Sequence, residues 1–185
     1  MKKLVVAIVL VLVAAGGWLT YLSHTSAVDE SANVPVITVM DILHASDLSE
    51  GIKHAVKAND DEALTQWLKK AREVGKAADL PEKQLDYLTS QQAKNYVTFN
   101  AKRDLFNESF EKRFYQLKGI EDLKKQYPEA KDLFPNAEAL LNKRDTIVKS
   151  IATTLSNGSA PSEAEMEEAR KLWQERYVQQ SADTE

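Results

Sequence analysis

Residues 81–118 read PEKQLDYLTSQQAKNYVTFNAKRDLFNESFEKRFYQLK. After its first residue this stretch contains no proline or glycine, the two residues that most disfavour a helix interior. Apolar residues recur along it in steps of three or four, which is the spacing of one helix face. The roughly 37 residues therefore predict a helix ~55 Å long at 1.5 Å per residue. The polar residues from Gln92 to Asn95 leave the continuity of that helix open.

The same stretch is the most aromatic part of the chain. It holds seven of the 14 aromatic residues, and large aromatic side chains contribute strongly to protein cores. We therefore expect this helix to form the spine of the core. The side predicted to face inward carries Leu85, Leu88, Gln92, Tyr96, Phe99, Arg103, Phe106, Phe110, Arg113 and Leu117.

Helical patterns also flank the spine, and they predict an all-α fold. Asp60 and its acidic neighbours suit a helix start, and Ser162 with Glu165 forms a capping-box pattern. The predicted fold is an N-terminal signal-anchor or transmembrane helix followed by an exported helical bundle or a long helical hairpin. Its helices are expected near residues 46–58, 61–80, 120–127, 136–155 and 162–178, within an extracytoplasmic domain at 47–178, and residues 179–185 are predicted to be a flexible tail.

The N-terminus has the composition of a membrane anchor. Lys2 and Lys3 precede 19 uncharged, mostly apolar residues from Leu4 to Leu22, close to the ~20 that a spanning helix needs. Trp18 and Tyr21 lie at the far end, where aromatic rings favour the membrane interface. The two lysines favour the cytoplasmic side. Residues 1–22 are thus predicted to be a single-pass anchor of the inner membrane, with the N-terminus inside and the main domain in the periplasm.

A cleaved signal peptide is the alternative interpretation of this region. Small residues at Thr25, Ser26 and Ala27 suit cleavage near Ala27, which would release a soluble domain. With either interpretation the rest of the chain is exported. Residues 23–46 are predicted to be a linker, with a short extended patch at 34–40, because they are small, polar and interrupted by Pro35.

Composition and motifs argue against several functional classes. The formal charge of −4 disfavours nucleic-acid binding, which relies on cationic surfaces. There is no cysteine, and His24, His44 and His54 have no metal-ligand spacing. No nucleophile elbow, phosphate loop or dinucleotide fingerprint occurs. The sequence therefore predicts a non-enzymatic protein that uses no cofactor.

The most distinctive surface pattern combines aromatic residues with arginine on the spine. The residues are Phe99, Arg103, Phe106, Phe110 and Arg113. Aromatic residues and arginine dominate interface hot spots, although arginine stems also cover the edges of ordinary cores. The first functional hypothesis is an interaction, assembly or chaperone-like factor for another envelope protein, with association between copies also open. The alternative is a soluble periplasmic module that binds a small apolar or lipid-like ligand.

Overall fold

All regular secondary structure in the described residues is helical, as the sequence predicts. The structure, a computed structural model, describes the backbone of residues 37–182 and the side chains of residues 37–176, and it contains no strand within that range. Three predictions concern residues outside the described range. They are the anchor at residues 1–22 with Lys2, Lys3, Trp18 and Tyr21, the cleavage position near Ala27, and the linker up to residue 36. None of the helices that are described combines the length and the apolar character needed to cross a membrane.

The described residues form eight α-helices and one 3₁₀ helix, and the α-helices are numbered here in chain order. A 3₁₀ helix at Pro128–Leu133 interrupts the series of α-helices. Helix α8 continues four residues beyond position 178, so residues 179–182, predicted to be part of a flexible tail, are helical. The α-helices are α1 (Val39–Leu43), α2 (Ser46–Ala58), α3 (Asp61–Ala77), α4 (Glu82–Leu88), α5 (Gln91–Tyr115), α6 (Glu121–Gln126), α7 (Phe134–Leu155) and α8 (Glu163–Ala182).

Helix α1 corrects the prediction of a linker that extends to residue 46. Thr38 and Asp41 form a reciprocal capping box, in which Asp41 Oδ2 accepts from the Thr38 amide at 2.8 Å and Thr38 Oγ1 accepts from the Asp41 amide at 3.2 Å. Ile42 and Leu43 are buried in the first core cluster. A helix of five residues is too short to be stable in isolation, so this burial is what holds it. The extended patch predicted at 34–40 is likewise helical at its last two positions.

The predicted 55 Å helix is two helices. The chain leaves α4 at Thr89, and the Ser90 hydroxyl then accepts a hydrogen bond from the Ala93 amide at 3.1 Å, which caps α5. The interruption therefore precedes Gln92 to Asn95, where the sequence left continuity open. Leu85 and Leu88 pack near Gly75 of α3, whereas α5 makes its most extensive contacts with α2. The turn lets the two helices bury different faces.

Helix α5 does not bury the whole side that the sequence predicts. Its first half buries a row of small residues at steps of four, and only further along do large residues enter the core. Small side chains let two helix backbones approach closely, which suits the packing of α5 on α2. The aromatic positions Tyr96 and Phe99 are consequently at the edge of the core or exposed. The buried residues of α5 are Ala93, Val97, Ala101, Leu105 and Phe106.

Three clusters of buried side chains follow one another along the fold. The first cluster contains residues from each of the five helices α1 to α5. The second contains residues from the later part of α5, from α6, from the 3₁₀ helix and from the start of α7. The third is a small cluster between α7 and α8. The second and third meet at the C-terminus of α5, where Arg144 of α7 is buried with only 4% exposure. Its guanidinium donates to the carbonyl oxygens of Phe114 at 3.3 Å and Lys118 at 3.1 Å. A cation thus adds hydrogen bonds to carbonyl groups at the end of α5 and just beyond it, where the helix dipole is negative.

Candidate functional site

An open groove of about 550 Å³ lies between α5 and the junction of α2 with α3. We call it the α2–α5 groove. Helix α2 ends at Ala58, and the next residue, Asn59, turns the chain with a positive φ of 54°. Asp60 then caps α3 by accepting from the Ala63 amide at 2.9 Å. The groove is lined by Ala55, Val56, Asn59, Asp60, Asp61, Leu64, Gln91, Lys94, Asn95, Thr98, Phe99, Lys102 and Glu129.

Two ion pairs link the walls of the groove. Lys94 Nζ lies 2.6 Å from Asp61 Oδ1 and joins α5 to the start of α3. Lys102 Nζ lies 2.6 Å from Glu129 Oε1 and joins α5 to the 3₁₀ helix. Because both lysines of the lining have a carboxylate partner, the groove does not present an unbalanced cationic surface.

Glu129 is the most constrained carboxylate of the groove. Burial acts to raise the pKa of Glu129, but the hydrogen bond from Lys102, the backbone hydrogen bond and the nearby positive charge outweigh it, so the pKa lies below the usual value. Its Oε2 atom is buried and has no hydrogen-bond partner among the described residues. Lys102 therefore holds the carboxylate ionised while one oxygen keeps unused acceptor capacity.

Neutral polar side chains form much of the α5 wall. The Gln91 amide donates to Asn95 Oδ1 at 2.8 Å. A primary amide offers two N–H donors and one carbonyl acceptor, so this single bond leaves most of the capacity of both side chains for other partners. Thr98 lies one turn further along the same wall. The groove thus offers donors and acceptors that do not require a charged ligand.

Two of the predicted site residues lie together in the structure: Phe99 lines the groove, and Arg103 lies beside its ring but outside the lining. Phe99 is 45% exposed, and the guanidinium carbon of Arg103 lies 5.4 Å from the centre of its ring. Arg103 is also held by Asp132, to whose Oδ2 it donates at 3.0 Å, and by the carbonyl oxygen of Glu129 at 3.1 Å. The hydrogen bond to Arg103 lowers the pKa of Asp132. Arg103 is therefore fixed beside the ring rather than free to extend.

The other three predicted partner-binding residues lie away from the groove. Phe106 is 1% exposed in the second cluster, and Phe110 is half-buried with its ring centre 6.3 Å from that of Phe106. Arg113 forms an ion pair with Asp122 at the start of α6. Hence Phe106 offers no surface to a partner in this structure, and Arg113 is engaged within the chain.

Sequence reasoning missed most of the groove lining. In the sequence, Lys94 and Asn95 are polar residues that dilute an apolar face, a pattern that leaves open only whether the helix is continuous. Their recurrence with Thr98 and Lys102 at helical steps was the available signal. No local sequence pattern indicates that Asn59 and Glu129 belong to this site, because only the tertiary packing brings them to the same groove.

Models of protein families, curated proteins and solved structures give no match to this chain. What the groove binds is therefore inferred from its own side chains: an exposed aromatic ring, a wall of neutral amides and two internal ion pairs.

Proposed function

We propose that this chain is a non-enzymatic, membrane-anchored adaptor whose extracytoplasmic helical domain binds a polypeptide segment of another envelope protein in the α2–α5 groove. The observation that carries the proposal is the exposed ring of Phe99 beside the amide wall of Gln91 and Asn95. Exposed aromatic anchors dominate the affinity of protein interfaces. Primary amides match the donors and acceptors of a peptide backbone.

The shape and charge of the groove support a polypeptide over a charged small molecule. Its volume of about 550 Å³ is within the range of ligand sites, ~300–1,000 Å³, but it is open along one side, as a groove for an extended or helical segment must be. Lys94 and Lys102 are already paired, so an anionic ligand would have to compete with Asp61 and Glu129. An apolar side chain over Phe99 with backbone contacts to Asn95 needs no such exchange.

The proposed anchor at residues 1–22 gives the interaction its location. A tether to the inner membrane raises the effective concentration of the domain near other membrane-bound proteins. Moderate affinity at a small groove is then sufficient for occupancy. This is why an adaptor or assembly factor suits the combination of an anchor and an exported helical domain.

Site-specific photocrosslinking in the full-length protein tests the groove. A photoreactive phenylalanine analogue at position 99 should crosslink a discrete envelope protein, whereas the same analogue at Val74, an equally exposed position on α3, should not. Asn95→Ala should weaken the crosslink at position 99, because it removes an amide from the wall. Equal products from both positions, or a crosslink that Asn95→Ala leaves unchanged, would contradict the proposal.

The anchor is tested by the intact mass of the protein recovered from membranes. If the adaptor proposal is correct, the measured mass should correspond to a chain that still contains residues 1–22. A mature chain starting near Val28 would instead favour the alternative, a soluble module released by cleavage near Ala27. In that case native mass spectrometry for a co-purified apolar or lipid-like ligand becomes the deciding measurement.

A further inference from the structure

Four helices in the described part of the chain end in the same hydrogen-bonded turn. The residues with positive φ in these turns are Asn59, Asp79, Leu117 and Asn157. In each turn, the residue that follows donates its amide to the carbonyl oxygen five residues earlier. This is the Schellman motif, which satisfies carbonyl groups that a helix end leaves without intrahelical partners. The amide after each left-handed residue is therefore held by its own helix.

Asparagine occupies the left-handed position in two of these turns, and the residue that follows it differs. Asn59 and Asn157 have the same φ of 54° and are both exposed, but Asp60 follows the first and Gly158 follows the second. Asn157 and Gly158 form the only Asn–Gly pair in the chain. Because glycine has no β-carbon, no side chain shields the main-chain nitrogen of Gly158 from the Asn157 side chain. The α7 turn therefore places an amide carbon next to an unshielded nitrogen.

An asparagine side chain beside such a nitrogen can lose ammonia without a catalyst. The Gly158 nitrogen gives up its proton and attacks Cγ of Asn157, so that a carbon–nitrogen bond forms, the Cγ–Nδ2 bond breaks and ammonia leaves with a proton. Water then opens the resulting cyclic imide. Breaking the new bond gives aspartate, whereas breaking the bond to the original main-chain carbonyl gives isoaspartate, whose main chain contains one additional carbon. The reaction as a whole consumes water and releases ammonia.

The folded turn at the end of α7 opposes this reaction. The Gly158 amide donates to the Thr153 carbonyl at 2.9 Å, so its nitrogen can lose the proton and attack only after this hydrogen bond opens. The Asn157 amide is held in the same way by the Thr154 carbonyl at 3.1 Å. The two hydrogen bonds form the C-terminal cap of α7, and the reaction therefore requires that this cap opens.

The cap of α7 has less support than the equivalent cap of α2. After α2, Asp60 also caps α3 by accepting from the Ala63 amide at 2.9 Å, and Ala55 belongs to the first core cluster. After α7, by contrast, residues 157–160 are exposed. The buried cluster beside them consists of Val148, Ala152 and Ala169. Segments with few buried contacts open at a lower free energy than the whole domain, so we expect the α7 cap to open by itself.

We propose that Asn157 is a deamidation site controlled by the cap of α7, where local opening of the cap, and not unfolding of the domain, converts asparagine to aspartate or isoaspartate. Both products weaken the cap, because a carboxylate near the C-terminus of a helix is disfavoured by the helix dipole. The additional main-chain carbon of isoaspartate also displaces Gly158 from Thr153. The conversion changes the joint between α7 and α8 and needs no partner, so it does not depend on what the α2–α5 groove binds.

Peptide mapping of the full-length protein after incubation at mildly alkaline pH tests the site. The peptide that contains Asn157 should gain the mass of an amide-to-acid change and separate into aspartate and isoaspartate forms, while the peptide that contains Asn59 stays largely unchanged. In guanidinium chloride, where no cap exists, the Asn157 conversion should be at least ~tenfold faster than in the folded protein. An Asn157 peptide that reacts no faster than the Asn59 peptide, or equally fast with and without denaturant, would overturn the proposal.

Two alanine-to-glycine variants distinguish local opening from unfolding of the domain. Ala152→Gly weakens the last turns of α7 and should speed the Asn157 conversion about fivefold, the factor that corresponds to the ~1 kcal/mol cost of glycine relative to alanine in a helix. Ala71→Gly, the same change at a buried position of α3, should leave that rate unchanged. Circular dichroism checks folding, and Leu155→Gly at the exposed last residue of α7 replaces Ala152→Gly if that variant unfolds. Equal acceleration by the α7 and α3 variants would overturn control by the cap.

Discussion

The indole ring of Trp67 on α3 lies against the bare Cα of Gly51 on α2, where a β-carbon would overlap the ring. Gly51→Ala should therefore destabilise the fold. The overlap costs ~1–3 kcal/mol or more, which exceeds the ~1 kcal/mol that alanine gains over glycine in a helix. We expect a net loss of about 1–2 kcal/mol in the free energy of unfolding, measured by urea denaturation.

Gly119→Ala is the matched control for this prediction. No atom lies within 4 Å of the position of its added β-carbon. Its unfolding free energy should stay within about 0.5 kcal/mol of that of the unaltered protein. Equal losses in the two variants would show that the Trp67 contact is not the cause.

Arg144→Met should destabilise the junction of α5, α7 and α8. The methionine keeps an apolar stem but removes the donors to the carbonyl oxygens of Phe114 and Lys118. Hydrogen bonds to charged groups contribute ~1.5–3 kcal/mol, and we expect a loss in that range by thermal or urea unfolding. Arg170→Met removes two partly exposed ion pairs on α8, with Glu163 and Glu167, and should cost less than about 1 kcal/mol. Similar losses for the two arginines would argue against a special role of the buried one.

Ser90→Ala should weaken the start of α5. It removes the hydroxyl that accepts from the Ala93 amide, and the loss of such a cap costs ~0.5–2 kcal/mol. Thr65→Ala, which removes an exposed hydroxyl from the interior of α3, should change stability by less than about 0.5 kcal/mol. Urea unfolding of both variants checks the prediction, and unchanged stability of Ser90→Ala would mean that the cap does not hold the turn between α4 and α5.

Stability should fall in acid partly through Glu129. Its pKa in the folded chain lies below the usual value, so its contribution is fully present above ~4.3, the usual pKa of glutamate, and is lost as the pH falls through the lower folded value. Glu129→Gln should flatten this part of the pH dependence of unfolding. Glu111→Gln is the matched control, since it makes the same chemical change at an exposed carboxylate of α5. Parallel acid profiles for Glu129→Gln and the unaltered chain would contradict the assignment.

Helix positions were largely predictable because their signals are local. The apolar spacing in α3, the Asp60 cap and the capping box of Ser162 with Glu165 depend on residues within one or two turns of each other. Such contacts form wherever the segment becomes helical, so the pattern reports them directly. Of the candidate site, Phe99 and Arg103 were found for the same reason, since they are neighbours one turn apart on α5.

The errors arose where a distant contact decides the local structure. Ser90, which caps α5, is followed three residues later by Ala93 and not by the glutamate or glutamine that completes a capping box, so this turn resembles helix interior. Residues 39–43 resemble a linker in the sequence, because their helix depends on the burial of Ile42 and Leu43 in the first core cluster. The buried face of α5 follows small residues, whose inward position depends on how closely α2 approaches.

Local sequence is sufficient to establish that this chain is helical and approximately where each long helix lies, because backbone hydrogen bonding and amphipathic spacing act within single segments. The tertiary structure alone decided which side of α5 is buried, which residues of α2, α3 and the 3₁₀ helix meet at the groove, and that Arg144 closes the end of α5. These outcomes depend on the simultaneous burial of side chains from segments far apart in the chain. No local pattern encodes which of several amphipathic faces will meet.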